Sequence, residues 1–272
     1  MHQETLNPQV IDKWDQLIHL FKQMNSVVVA FSGGVDSGLL AAAAYEALGD
    51  RMLAVTIHSE VESEEGIEVA RLMANQIGFS HKIIEHDDLS NPNFKSNPVD
   101  RCYHCKLNRF TLANHLALEQ GYQWVVEGSN ASDIGDYRPG MRAVQELGVR
   151  SPLVEVGLSK SEIRQLAKWK GLPNWDRPSA PCLATRFPYG TEITLENIQK
   201  VSKGETFLKS MGIRQLRVRY HGSLARIEVL DENIELIVKE RVKILDFFKK
   251  LGFIYIAVDL AGFRSGSMNE EI

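Results

Sequence analysis

Val27-Val28-Val29-Ala30-Phe31-Ser32-Gly33-Gly34-Val35-Asp36-Ser37-Gly38-Leu39-Leu40-Ala41-Ala42-Ala43-Ala44 is the stretch on which the reading of the fold turns. A β-branched run at 27–31 predicts a buried strand, and the Leu/Ala run from 39 predicts a helix. Between them, Gly33 and Gly34 let the backbone turn tightly and approach a ligand. The helix N-terminus then aims unpaired N–H groups and the positive end of its dipole at that ligand, which favours phosphate. Ser32 and Ser37 add hydroxyls. Asp36 repels phosphate unless a cation lies between them, and Mg²⁺ is the usual one. The stretch contains neither G-x-x-x-x-G-K-[ST] nor G-x-G-x-x-G.

Working outward, residues 10–24 place Ile11, Trp14, Leu17, Ile18 and Phe21 at helical spacing. Strands are expected at 52–57, 81–84 and 124–126, with helices at 64–77 and 100–120 between them. Such alternation predicts a doubly wound parallel α/β sheet, with its ligand at the carboxyl ends of the strands. Three polar strand ends then face one cleft: 32–37, 58–60 and 127–133. Ser159-Lys160-Ser161-Glu162 is a capping box opening a helix that runs to Trp169. A proline-studded stretch, 173–188, precedes a change of pattern to helix (194–211), strand (214–220), strand (224–230), helix (232–251) and strand (253–260). The expected division is a nucleotide-binding domain over 1–189 and a smaller α+β domain over 190–272, the latter for substrate binding or oligomerisation.

The 272 residues, 44% hydrophobic and 24% charged, suit a globular protein with an ample core. A net charge of −4 gives no reason to expect a large nucleic-acid footprint. The first 25 residues lack the apolar region of a secretory signal, and no run of about 18 apolar residues could span a membrane. Three cysteines argue against a disulfide framework and for a reducing cytoplasm, where thiols bind metal or react.

Those thiols are Cys102 and Cys105, in Cys-Tyr-His-Cys at a helix start, and Cys182 in the irregular stretch. A C-x-x-C pair there serves as a redox dithiol, as half of a zinc site (with Cys182 and His104), or as part of an iron–sulfur site. Three thiolates on one [4Fe–4S] cluster would leave one iron open, as sulfide chemistry requires. Arg186, Arg217 and Arg219 (alternating on one strand face) and Arg264 could clamp phosphate or carboxylates, or could be solvated surface charge.

The loop Ser32–Ser37 resembles the SGGxDS loop of the PP-loop ATP pyrophosphatases, which implies ATP cleaved to AMP and PPi. Together with Glu127 to Asp133 (EGSNASD), Gly135 to Gly140 (GDYRPG), CLATRFPYGTEIT from Cys182 and the closing DLAGFRSGSMN, it resembles the LarE family from about Val27 to Asn269. The resemblance implies an ATP-dependent sulfur transferase of nickel-pincer nucleotide synthesis. Such an enzyme adenylates the carboxylates of pyridinium-3,5-biscarboxylic acid mononucleotide and replaces oxygen with sulfur. The best-known LarE type gives up the sulfur of one cysteine and is left with dehydroalanine. This chain departs from it by adding Cys102 and Cys105 to Cys182, the pattern associated with a [4Fe–4S] cluster carrying an extra sulfide.

The expected site follows. Asp36 and Cys182 are catalytic, and Cys102, Cys105 and Cys182 hold the cluster. Ala30, Phe31, Ser32, Gly33, Gly34, Asp36, Ser37, His58, Ser59, Gly128, Asn130 and Asp133 hold ATP and Mg²⁺. Arg186, Arg217 and Arg264 hold the substrate, with Glu205 and Glu228 as family-implied members. The partners expected are the pyridinium mononucleotide, a sulfide donor and further copies of the chain, with no nucleic acid and no membrane. The competing readings are an ammonia-dependent ligase of the NAD-synthetase kind, a tRNA thiolase, and a non-catalytic ATP sensor with structural zinc.

Overall fold

In the computed structural model, residues 6–135, 138–178, 180–264 and 266–271 are described. Asp136 and Tyr137 of the Gly135–Gly140 motif and Ser265 of the closing motif lie outside them. The strands are β1 (Val27–Ala30), β2 (Met52–His58), β3 (His81–Glu85), β4 (Trp124–Val126), β5 (Leu216–His221), β6 (Leu224–Val229) and β7 (Tyr255–Val258). The helices are α1 (Pro8–Met24), α2 (Val35–Leu48), α3 (Glu64–Ile77), α4 (Pro92–Lys95), α5 (Arg101–Gln120), α6 (Gly140–Glu146), α7 (Pro152–Glu155), α8 (Lys160–Trp169), α9 (Leu195–Ser210), α10 (Ile234–Lys239) and α11 (Arg241–Lys250). No helix among the described residues is long and apolar enough to cross a membrane.

The chain forms two compact units. The first comprises residues 1–59, 64–86 and 100–180. Its sheet is parallel throughout, in the order β3-β2-β1-β4. Covered on both faces, its central strands β1 and β2 read as near-continuous apolar runs, and Val27, Val28 and Val29 are fully buried. Helix α1 starts on Pro8, capped by the Asn7 side chain, and turns Val10, Trp14, Leu17, Phe21 and Met24 inward at steps of three and four. Helix α2 buries Leu39, Leu40, Ala41, Ala43 and Ala44 completely. It is apolar nearly all round because β1, α1 and α8 all pack on it. The expected parallel α/β architecture is present.

The second unit comprises 60–63, 87–99 and 181–272. Its sheet, β5-β6-β7, is mixed: β5 and β6 form an antiparallel hairpin, and β7 runs parallel to β6. The hairpin turns at Gly222, whose φ of 64° lies in the left-handed region that favours glycine. Helix α9 packs on β5, and the buried apolar positions Ile198, Val201 and Leu208 lie on its inner face. The helix expected over 232–251 is two helices, α10 and α11, with a break at Glu240, whose backbone leaves the helical region (ψ 13°).

Candidate functional site

Phe31 prolongs β1, its N–H donating to the Val55 carbonyl at 2.8 Å. Its ring lies edge-on to Phe79 and His81, so only its backbone serves the loop. The Ser32 N–H donates to Ser37 Oγ at 3.2 Å, and the two hydroxyls are 3.0 Å apart. Gly33 has φ +72°, and a Cβ there would lie 2.9 Å from the Gly66 carbonyl oxygen. Only glycine fits both constraints. Gly34 is the N-cap of α2 and brings no side-chain cap, so the first-turn N–H groups face out of the helix end. This is the arrangement that binds a phosphate chain.

Asp36 stands in that first turn. Its Oδ2 accepts from Lys160 Nζ at 2.5 Å, while Oδ1 is buried without a hydrogen-bond partner. Burial pushes its carboxyl above the ordinary range, and the Lys160 contact offsets part of that; Asp133 pushes it further up. A carboxylate with one oxygen left over is what Mg²⁺ takes from a protein when phosphates supply its other ligands, so the residue fits that ion. Bound there, Mg²⁺ would neutralise phosphate charge. Lys160 opens α8, held by the reciprocal Ser159–Glu162 capping box. Its place in that box is evident from sequence; its reach to the loop is not.

The strand end after β4 joins the same place. A Cβ on Gly128 would lie 3.1 Å from Ser37 N, so the backbone touches the first turn of α2. Asn130 and Asp133 form a capping box of their own, and Asp133 also meets Arg138 at 2.7 Å. Lys160 N–H donates to Ser132 Oγ at 3.0 Å, tying this turn to α8. Glu127 is buried and accepts from Ser129 N, Ser129 Oγ and Ser151 Oγ, with Lys106 Nζ at 3.3 Å. His58 ends β2, on the same carboxyl edge, between Glu64 (3.9 Å) and Glu85 (4.0 Å). Ser59 accepts from Arg109 Nη2 at 2.9 Å, a contact from α5 for which the sequence held no signal.

The arginines of the second unit are engaged with carboxylates. Arg186 makes a bidentate pair with Glu205 (2.8 and 3.0 Å), and both are buried. Its other nitrogen donates to the Pro181 and Cys182 carbonyls. Burial opposes ionisation of Glu205, yet Arg186, the Val218 N–H and Arg217 outweigh it and hold the carboxyl below the usual range. Arg219 pairs with the fully buried Glu228 at 2.6 Å and donates to Ser267 Oγ. Arg217 lies opposite Glu228 in the hairpin register and 5.0 Å from the Phe263 ring centre. Burial and the neighbouring Arg186 and Arg219 pull its guanidinium down to about 10, still charged at neutral pH. Arg264 is one-third exposed and pairs with Glu270 at 3.0 Å.

The iron–sulfur expectation is overturned. Among the described residues, no group of three or more His, Cys, Asp or Glu side chains is gathered so that it could hold a metal ion. Cys102, on the exposed surface, and Cys105 lie in the first turns of α5, in the first unit, whereas Cys182 belongs to the second. A [4Fe–4S] cluster requires three thiolates converging within its own width, and Cys102, Cys105 and Cys182 do not form such a group. The assignment of the chain to a three-cysteine cluster type is withdrawn with it.

Residues 14–108 match the NAD synthase family model. The chain is 42% identical over 259 residues to an uncharacterized protein of Synechocystis sp., covering 94% of this chain and 97% of that one. It is 38% identical over 259 residues to the pyridinium-3,5-bisthiocarboxylic acid mononucleotide synthase of Lactiplantibacillus plantarum, covering 94% and 93%. A shorter similarity, 30% over 169 residues, relates 56% of the chain to 53% of a glutamine-hydrolyzing GMP synthase component of Methanococcus vannielii.

Proposed function

The chain belongs to the family of the Lactiplantibacillus plantarum synthase, within the ATP-using, adenylating PP-loop enzymes, and from that premise we propose that it thiolates carboxylates of a pyridinium-3,5-biscarboxylic acid mononucleotide. The observation that carries the reading is the loop itself: open α2 amides, paired hydroxyls and a half-satisfied Asp36 carboxylate in one turn.

A carboxylate resists substitution because its leaving group would be oxide. Its oxygen therefore attacks the α-phosphorus of ATP, the bond to the β-phosphate breaks, and PPi departs. Loop amides stabilise the charge that builds on the leaving group. A sulfur nucleophile then attacks the acyl carbon and AMP leaves with the former carboxylate oxygen. Ser32, Gly33, Gly34, Asp36, Ser37, Gly128 and Asp133 serve the nucleotide's phosphates and Mg²⁺, with Ala30 and Phe31 contributing backbone. His58, Ser59 and Asn130 serve adenosine. Arg217 and Arg264 serve the anionic groups of the substrate, and an anion would relieve the repulsion of Arg217 by Arg186 and Arg219. Arg186 with Glu205 and Arg219 with Glu228 brace that face. Cys182, its backbone pinned by Thr185 and Arg186, is the sulfur-bearing residue: its thiolate displaces AMP to form a thioester, and loss of its Cα proton breaks the Cβ–Sγ bond, freeing the thiocarboxylate and leaving dehydroalanine.

The test is PPi release with ATP, Mg²⁺, the pyridinium dicarboxylate and sulfide. Release dependent on the dicarboxylate is expected, and its absence overturns the reading. The mass of Cys182 after turnover reads the origin of the sulfur: loss of H₂S marks its own sulfur, and an unchanged mass marks supplied sulfide. A second reading, capture of the acyl adenylate by ammonia, is favoured by the match to the NAD synthase model. An amide product formed with ammonia in place of sulfide would establish it.

A further inference from the structure

We propose that Asn174 is a positioning residue for the nucleotide loop, holding the Gly33–Gly34 peptide in the orientation that presents the loop's donors. The inference rests on the reading of residues 32–37 as the ATP loop. Asn174 lies in the turn after α8, and its side chain is 2% exposed. Its Nδ2 donates to the Gly33 carbonyl at 3.0 Å across 141 residues of sequence. In a planar trans peptide the carbonyl and the following N–H point opposite ways. Anchoring the Gly33 carbonyl inward therefore turns the Gly34 N–H outward, toward Ser32 Oγ at 3.4 Å.

Two costs converge on this amide. Gly38 sits inside α2, where glycine is less favourable than alanine. A Cβ there would lie 2.9 Å from Asn174 Nδ2 and 2.8 Å from Met73 Cε, so the glycine makes room for the amide. Asn174 Oδ1 is buried with no hydrogen-bond partner, a position that costs stability. An apolar filler would avoid the orphaned oxygen, and none could hold a carbonyl. The turn that delivers Asn174 is itself fixed: Arg164 of α8 donates to the Trp175 and Arg177 carbonyls, each at 2.9 Å. Helix α8 and its following turn thus reach the loop twice, at Asp36 through Lys160 and at Gly33 through Asn174.

The experiment measures Mg·ATP affinity by titration calorimetry, and the thermal midpoint without nucleotide, for wild type, Asn174→Ala, Gly38→Ala and the double variant. Asn174→Ala should bind Mg·ATP about tenfold more weakly while still folded, the size of one lost hydrogen bond. Gly38→Ala should weaken binding similarly by displacing the amide. The double variant should bind no worse than Gly38→Ala alone, since the amide is already displaced there and Met73 Cε is pressed equally in both. If Asn174→Ala does not fold, Asn174→Ser, too short to reach the carbonyl, is read in its place with the same expectation. A folded variant that lowers the midpoint yet binds Mg·ATP like wild type makes Asn174 a plain strut and overturns the proposal. A wild type that fails to bind Mg·ATP overturns instead the reading of the loop beneath it.

Discussion

At the nucleotide loop, one carboxylate meets one ammonium and has an oxygen left over; on the β5–β6 face, Arg186 and Glu205 satisfy one another and Arg219 pairs with Glu228, leaving Arg219 Nε over. Asp36 keeps Oδ1 without a partner, and the helix end beside it has no side-chain cap. Arg186 and Glu205 instead share two hydrogen bonds, and Arg219 and Glu228 lie 2.6 Å apart in nearly complete burial. A buried guanidinium whose charge is met by a buried carboxylate braces a structure; a carboxylate left half-paired at a helix N-terminus is poised for a ligand. Under the proposed function the first region carries the chemistry, and the second is a braced surface on which Arg217 and Arg264 are the candidates for the substrate's anionic groups.

The largest effect expected is on the braced face. Arg186→Ala leaves Glu205 buried without its counter-charge and should cost about 3–5 kcal/mol of stability. Replacing both partners with apolar residues of similar volume should recover much of that. Denaturant unfolding of the single and paired variants measures the difference, and a single variant as stable as wild type would break the comparison.

Next is the loop. Asp36→Ala should lower PPi release by about 10²-fold or more, because a preorganised charge interaction is removed where charge develops. The fold should persist, as a carboxylate whose burial is unfavourable is lost. Wild-type PPi release would remove Asp36 from the chemistry.

Acid separates the two regions by sign. Glu205 is held below the usual range, so its contribution is present above the ordinary glutamate value of about 4.3 and is lost as pH falls through its depressed value. Asp36 is raised, so its burial disfavours the fold above its own value, and that penalty is relieved as pH falls through it. The same protonation removes the anion Mg²⁺ needs. PPi release should therefore decline on acidification before the second unit loosens, followed by PPi assay and by circular dichroism at each pH. Simultaneous loss of both would merge what the geometry keeps apart.

The smallest effect is at Arg264. Its pair with Glu270 is exposed and screened by solvent, so Arg264→Ala should leave stability nearly unchanged. Its affinity for the pyridinium mononucleotide should fall. Unchanged affinity would return Arg264 to solvated surface charge.

Legible in the sequence were the strand–turn–helix at 27–44, the alternation that makes the first sheet parallel, the adjacent strands at 214–220 and 224–230 and the capping box before α8. Each follows from neighbours within a few residues: side-chain periodicity, glycine's access to positive φ, a hydroxyl three residues before a glutamate. What meets what emerged only on folding. Lys160 reaches Asp36 across 124 residues, and Asn174 reaches Gly33 across 141. Residues 60–63 and 87–99, between strands of the first unit, belong to the second. Arg186 is committed to Glu205, and Cys102, Cys105 and Cys182 do not gather as their number suggested. Local pattern fixes which elements form, whereas the partner of a buried charge or thiol is set by packing between segments far apart in the chain, to which spacing along the sequence is blind.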